Sequence, residues 1–428
     1  MERRIWFAIA GSLCLGAAVV ALSGCTTPLA LGTELVPGGK PVKAAQVTLG
    51  EELPRAINGF GIELLAATSA SAEANGNVIV SPLSVHAALS MTGNGAIGTT
   101  AEEMRKVLRT DSMEPADANA QWAALLGGLA TRSAEQQLDI ANALFARKGI
   151  AFKQPFLDAD RDYFGAQIST LDFAKDDVVG IINAWVSKNT NGMIPKILDR
   201  ADPSAILYLA NAVYFKGEWV TPFEHEATAK HPFTRVDGTK VDVDMMNSSG
   251  ALPYAENATL QATKLLYKGL DASYYVMLPR EGVSIGTALA SLEGTGFSDL
   301  RTAMMTANLG TVILGLPKLN TEFGANLNAP LVEMGMPRAF APDMAEFSGM
   351  ADLTEPIYIG RVIHKTKVIV DEKGTEAAAA TVVGMLAGAA APGMEPPKII
   401  CDRPYLIAIV DEKSGTMLFL GTVGDPTK

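Results

Sequence analysis

The sequence predicts one large α+β domain, and three observations carry that prediction. Helical and strand periodicities alternate along the chain, without the regular strand–helix–strand rhythm of a parallel α/β sheet. Neither an internal repeat nor a linker interrupts residues 54–427. Of 428 residues, 48% are hydrophobic and 19% charged, which supplies a large core and excludes a disordered chain. The charge balance excludes some partners. With 46 acidic and 35 basic residues the net charge is −11, whereas nucleic acid or anionic lipid demands concentrated Lys and Arg. Three Cys and four His rule out a disulfide scaffold and leave little for a metal site, so no metal and no cofactor is expected.

Residues 1–25 read as an address. Arg3 and Arg4 precede an apolar run, Ile5 to Leu22, which ends in Ser23, Gly24 and Cys25. An uncleaved anchor is one reading, but small residues at the end of such a run mark a cleavable signal. Leu22-Ser23-Gly24-Cys25 resembles a bacterial lipobox, which implies that Cys25 is lipidated and becomes the mature N-terminus. Either way the body is expected outside the cytoplasmic membrane: lipid-anchored in a bacterial cell envelope, or extracellular. Cys401 is then the sole free thiol, expected to be buried and inert. Residues 26–53, rich in Gly, Pro, Thr and Lys with no sustained period, read as a flexible tether.

The body follows in order. Asn77–Val80 is a short strand, and Ser81-Pro82 caps and opens a helix to about Thr92. Thr100 and Glu103 form a capping box. Gln137–Ala146 reads as a strand; Val178, Ile182, Trp185 and Val186 have helical spacing, with Gly192 as the stop. Ile206–Phe215, apolar almost throughout, predicts a strand buried on both faces. Val241, Val243 and Met245 alternate, and Gln261–Tyr267 and Ser273–Leu278 flank a turn. Thr311–Leu316 and Lys367–Val370 are further strands, and Tyr405–Val410 with Met417–Val423 makes a closing hairpin.

A search for catalytic motifs finds no nucleophile elbow, no H-E-x-x-H and no dinucleotide fingerprint. His86 and His364 are the histidines that a neighbouring Ser would need as a base; hydrogen-bonded structural roles are the plainer reading.

The unusual stretch is 371–397, far longer than an ordinary connection, yet small and apolar. An Ala-rich helix is disfavoured by Thr381, Val382, Val383, Gly384 and Gly388. With period 2, Thr375, Ala377, Ala379 and Thr381 share one face, and Glu376, Ala378, Ala380 and Val382 the other. No Pro lies between Thr375 and Ala391, so the segment suits both an exposed loop and a central strand. Glu372-Lys373-Gly374-Thr375-Glu376 followed by alanines resembles the hinge of a serpin reactive-centre loop. Asn77 to Leu108, Asn211 to Trp219, Leu278-Pro279-Arg280, Leu316 to Leu319 and Arg403 to Pro426 also resemble serpin segments, in family order. The likeness runs from about Leu53 to the end.

The resemblance implies a serpin fold: a large central, mostly antiparallel sheet, helices, smaller sheets and an exposed loop at about 372–397. It also implies function. The loop is bait for a target endopeptidase, which becomes trapped as a covalent acyl-enzyme when the cut loop enters the sheet; such a protein is an inhibitor, not an enzyme, and a monomer is expected. Residue by residue, Glu372, Gly374, Thr375, Glu376, Ala377, Ala378, Ala379 and Ala380 match the hinge, with Gly374 read as a free pivot. Ser81, Ser84, Asn211 and His364 match the shutter cluster beneath the sheet. Trp219 matches the breach, and Lys318 the partner of Glu372, read as a surface ion pair worth under about 1 kcal/mol.

Counting from the hinge puts the reactive bond near Gly388-Ala389; counting back from Pro396-Pro397 puts it near Gly393-Met394 or Met394-Glu395. The forward count is favoured, because insertion length is measured from the hinge. No Arg or Lys lies between Gly374 and Lys398, so elastase-like, subtilisin-like or papain-like proteases fit better than trypsin-like ones. A non-inhibitory carrier or surface-binding lipoprotein is the alternative, and a hydrolase using His86 or His364 the third reading.

Overall fold

Ser81 and Pro82 start a helix for the reason their side chains suggest. The Ser81 hydroxyl accepts the Ser84 amide, and the proline ring fills the first turn of α2 (Pro82–Gly93) behind α1 (Glu52–Ala70). The next start signal works differently from the sequence reading. Thr100 and Glu103 do not form a capping box on α3 (Gly98–Val107), whose N-cap Ile97 makes no side-chain bond. Glu346, distant in sequence, takes over: its amide donates to the Thr100 hydroxyl at 3.1 Å and its carboxylate accepts the Thr100 amide at 3.4 Å. Glu103 instead accepts the Arg338 amide at 3.0 Å.

The structure, a computed structural model, describes residues 33–43, 47–70, 76–130, 135–174, 177–202, 205–307, 309–352, 356–375 and 395–428. The side chains of Asn211 and Ala212 lie outside that description. Strands β1 to β6 are Thr33–Val36, Val78–Val80, Gln136–Arg147, Gln167–Leu171, Leu207–Glu218 and Ala229–Thr234. Strands β7 to β12 are Lys240–Leu252, Tyr254–Glu256, Leu260–Leu266, Ala272–Pro279, Gly310–Pro317 and Leu319–Asn326. The chain closes with β13 (Arg361–Val370), β14 (Gly374–Thr375), β15 (Lys398–Ile400), β16 (Tyr405–Asp411) and β17 (Met417–Val423). They form three sheets, ordered β1-β4-β3-β5-β14-β13-β12, β2-β17-β16-β10-β9-β8 and β15-β11-β7-β6.

The expected strand at 206–215 is β5, the centre of the largest sheet. One face of that sheet meets the main core. The other carries the helix Asp177–Asn189, whose Val178, Ile181, Ile182, Trp185 and Val186 pack on Ala143, Phe145, Tyr208 and Ala210. Coverage on both faces is why β5 reads as an unbroken apolar run. The two halves of the sheet meet unevenly. At one end, called lower here, β5 pairs β13 directly and in parallel, from Tyr208 opposite Arg361 to Ala210 opposite Ile363. At the upper end β14 separates them, antiparallel to both.

The segment expected as a flexible tether is not wholly one. Thr33–Val36 forms β1, antiparallel to β4 at the sheet edge. Gly39 N–H donates to the Gly165 carbonyl at 2.8 Å and Lys43 N–H to the Asp162 carbonyl at 3.1 Å. An open sheet edge supplies the partners, and four residues are too few for a periodic signal. Leu53, at the far end of that segment, is fully buried in α1.

Candidate functional site

Where β13 ends, the chain turns sharply and re-enters its own sheet. Asp371 builds the turn: its carboxylate accepts the amides of Lys373 (2.8 Å) and Gly374 (3.1 Å), and its amide donates to the Gly374 carbonyl. Gly374 then faces Glu218, and Thr375 faces Gly217 on one side and Val370 on the other. Thr375 is 3% exposed, so the first inward hinge residue already lies in the sheet of the uncleaved protein. From the sequence it is instead expected in the exposed loop at about 372–397. Gly374 is needed for space rather than as a free pivot. A Cβ there would sit 2.2 Å from the Gly217 carbonyl oxygen. Gly217 is likewise confined, since its own Cβ would fall 2.7 Å from the Tyr267 ring.

Aromatic rings form the floor of this turn. Trp219 is buried and stacks on Tyr267, with ring centroids 4.5 Å apart. Its indole N–H donates to the Asp371 carbonyl at 3.0 Å, and its amide to the Lys373 carbonyl at 2.9 Å. The Tyr267 and Thr375 hydroxyls are hydrogen-bonded to each other. Trp219 therefore holds the hinge by two bonds and a stack, at the position where sequence matching put the breach.

Glu372 and Lys318 meet as expected, Nζ to Oε2 at 2.8 Å, but not as a surface pair. The Glu372 side chain is 10% exposed and also accepts from the Thr228 hydroxyl at 3.0 Å, with His225 Nδ1 at 3.2 Å. Burial by itself raises its pKa. Hydrogen bonds from Lys318, its own backbone and Thr228 prevail, and the carboxyl falls from 4.5 to about 2. Sequence reasoning missed Tyr267, Asp371, Gly217, Thr228 and His225. Only Tyr267, ending an alternating strand beside a turn, left a trace in the pattern.

The expected shutter residues come together in part. His364, on β13, accepts the Ser81 amide at Nε2 (3.0 Å), and the Ser81 hydroxyl donates to the Leu418 carbonyl at 2.6 Å. Burial pushes the His364 pKa down to about 4, so the ring is a neutral acceptor. The Ser84 amide donates to the capping hydroxyl of Ser81, and its own buried hydroxyl finds no partner among the described residues. Asn211 sits on β5 one step above the last β5–β13 pair, level with the residue after Ile363. His86 is structural too, buried between Ser90 Oγ and the Leu108 carbonyl, and burial lowers its pKa to about 4. Cys401 is free and fully buried, and burial drives its thiol pKa far up, so it is no nucleophile.

Several expected positions lie outside the described residues: Cys25, Glu376, Ala377, Ala378, Ala379, Ala380, Gly388, Ala389 and Met394. Glu395 is described and exposed, 3.8 Å from Lys398. There the chain rejoins the body, the Pro397 carbonyl accepting the Ile313 amide and β15 running parallel to β11. Among the described residues no group of three or more His, Cys, Asp or Glu is arranged for a metal, and no helix is long and apolar enough to cross a membrane.

Comparison with known proteins agrees with this architecture. A sequence-family model described as Serpin (serine protease inhibitor) matches residues 55–426. The leukocyte elastase inhibitor of Homo sapiens is 32% identical over 387 residues, covering 88% of this chain and all of that protein. The crystal structure of a thermophilic serpin, tengpin, in its native state superposes with a TM-score of 0.82 at 32% identity, covering 91% of this chain and all of that one. Tengpin in its latent state fits less closely, with a TM-score of 0.74 at 31% identity over 89% of this chain and 99% of that one.

Proposed function

Because the chain belongs to the serpin family of serine protease inhibitors, we propose that it is a single-use trap for elastase-like or subtilisin-like endopeptidases, papain-like cysteine proteases included. The observation that carries this is the hinge wedged between β5 and β13 above strands that, among the described residues, meet directly only at their lower ends. The target's serine hydroxyl adds to the scissile carbonyl, the peptide C–N bond breaks, and the new amine leaves with a proton from the protease's histidine. The loop, still esterified, then follows Gly374 and Thr375 into the sheet. Pulling on the ester distorts the protease's oxyanion hole, so water does not release the enzyme.

The register supports the forward count of the reactive bond. Continuing the pairing of Thr375 with Gly217 and Val370 brings Met385 opposite Leu207 and Gly384 opposite Arg361, the lower ends of β5 and β13. Gly388-Ala389 would then emerge just past the lower edge, clear of the sheet. A bond at Met394-Glu395 would lie well beyond it. Inward residues on that strand are Thr375, Ala377, Ala379 and Thr381, which slide past packed helices without burying charge. The loop's lack of Arg and Lys sets the target class, and likeness to a leukocyte elastase inhibitor points the same way. Lipidation at Cys25 in a bacterial cell envelope completes the reading.

Mixing the protein with elastase and with trypsin tests it. A heat-stable covalent complex on a denaturing gel is expected with elastase and little with trypsin. Cleavage by elastase with no complex would sink the inhibitor reading and favour a carrier.

A further inference from the structure

The edge strand β1 determines which end of the body an N-terminal anchor holds. β1 runs antiparallel to β4, with Thr33 opposite Thr170 and Val36 opposite Ile168. β4 in turn runs parallel to the lower half of β3, from Ala143 to Arg147. β3 begins at the hinge, with Gln136 facing Gly217, the residue that Thr375 also faces. Thr33 therefore enters at the end of the large sheet opposite the hinge. The backbone bonds of Gly39 to Gly165 and of Lys43 to Asp162 fasten the segment that follows β1 to the body.

Chain length makes this placement consequential. Eight residue steps separate Cys25 from Thr33, at most about 28 Å when fully extended. A strand of 12 residues such as β5 is about 40 Å long. A lipid on Cys25 cannot reach the hinge end from there. We propose that the lower pole, around Lys148 and the end of β4, faces a lipid bilayer while the reactive loop points away from it. The proposal rests on the lipid-anchor and insertion readings above. It has a mechanical corollary. Insertion carries the scissile end of the loop to the lower edge, so a trapped protease arrives on the membrane side. A protease of ordinary size is roughly 40 Å across, wider than the tether is long. The short tether therefore opposes complete insertion in the anchored protein and has no such effect in a soluble form.

The test uses lipidated full-length protein in phosphatidylcholine vesicles that contain a fluorescent acceptor lipid. Lys148→Cys places a thiol at the lower pole, beside Leu171, whose carbonyl accepts the Lys148 amide. Glu226→Cys places one at the hinge pole, next to His225. Cys401 is buried, and lipidation would occupy Cys25 after removal of residues 1–24 with Cys14, so a maleimide dye marks the new thiol alone. Energy transfer to the vesicle is expected to be severalfold greater from position 148 than from 226. Equal transfer, or the reverse order, overturns the orientation. A parent protein that carries no lipid by mass and floats free of vesicles overturns the anchor reading and the orientation with it. A vesicle-bound protein that inhibits elastase yet shows equal transfer overturns the orientation alone. The second readout inserts about twenty Gly and Ser residues after Thr27. On vesicles this is expected to raise the share of covalent complex with elastase, and in a soluble Cys25→Ser background to leave it unchanged. An unchanged share on vesicles would show that the lower pole is not held against the bilayer.

Discussion

Thr375→Arg asks whether the hinge must lie in the sheet for the trap to work. The native residue is 3% exposed, and its hydroxyl bonds to Tyr267, which is itself fully buried against Trp219. A guanidinium at this position would be stripped of water beneath two stacked rings. An unpaired buried charge costs about 3–5 kcal/mol even after relaxation. At about 1.4 kcal/mol per decade, sheet entry slows by roughly two to three and a half decades. Because Thr375 is paired before any protease arrives, the substituted hinge is also expelled from the uncleaved protein. That removes only the two residues of β14, so the variant should fold with a slightly lower melting midpoint. The assay is elastase titration with a denaturing gel and a count of active protease. The variant should be cut at the parental bond, form little covalent complex and release active elastase. Glu376→Arg, on the opposite face of the strand, should trap nearly as well as the parent. Equal trapping by both variants and the parent would refute loop insertion as the mechanism.

Three further outcomes follow from the same geometry. Glu372 has its pKa lowered from 4.5 to about 2, so its stabilisation is complete above pH 4.5 and lost as pH falls towards 2. The shift corresponds to about 2 kcal/mol after allowance for the part-exposed Lys318. Deuterium exchange at Lys373–Thr375, corrected for intrinsic rates, should be flat from neutral pH to 4.5 and rise below it. Lys318→Met should move that rise to higher pH, and an unmoved rise would show that the pair does not hold the hinge. Asp160 is fully buried; Asn94 donates to one carboxyl oxygen and the other has no partner among the described residues. Burial raises its pKa well above 3.8, so it stabilises fully below 3.8 and progressively less as pH rises. Asp160→Asn should therefore stabilise by about 1–3 kcal/mol in urea unfolding at pH 8, with the gain closing near pH 4; a loss at pH 8 would contradict this. Finally, a cut within Met385–Ala391 should raise the melting temperature, whereas ordinary nicking lowers it or leaves it unchanged.

The sequence disclosed most where the physics is local. Ser81 and Pro82 mark the start of α2 because cap and ring act within one turn. The apolar run at β5 predicts cover on both faces, and the closing hairpin follows from alternation around a turn. The residues of the hinge were legible as a pattern, but their present partners were not. Tyr267, Thr228 and His225 lie more than a hundred positions before Thr375 and Glu372, and their contacts exist only once the sheets are assembled. The same holds for Glu346, which displaces a plausible local capping box from 246 residues away. β14 has two residues and β1 four, so neither has a period to read. The burial of Glu372 was missed because a Glu beside a Lys in a family motif looks the same whether it is exposed or enclosed.

The pairing pattern also locates where the proposed trap would find its driving force. β3 occupies one edge of β5, and β12 occupies the outer edge of β13. Between the Ala210–Ile363 pair below and the Gly217–Thr375 pair above, no strand pairing joins the facing edges of β5 and β13 among the described residues. An entering strand would supply ladder bonds along both edges, on the order of ten in all, each worth about 1 kcal/mol net. It would exchange the three parallel pairs at the bottom for antiparallel ones, the slightly more stable arrangement. That gain is available only to a strand that starts from Thr375, already in register, and whose inward side chains are as small as Ala377 and Ala379. The polar contacts of Ser81 and His364 lie level with the point where β5 and β13 part, so they must reorganise as the gap opens. The fold is thus closed by a few polar contacts and a two-residue wedge, while a longer ladder remains to be made. On the proposed mechanism such a molecule would be stable until its loop is cut and would have a more stable arrangement available afterwards.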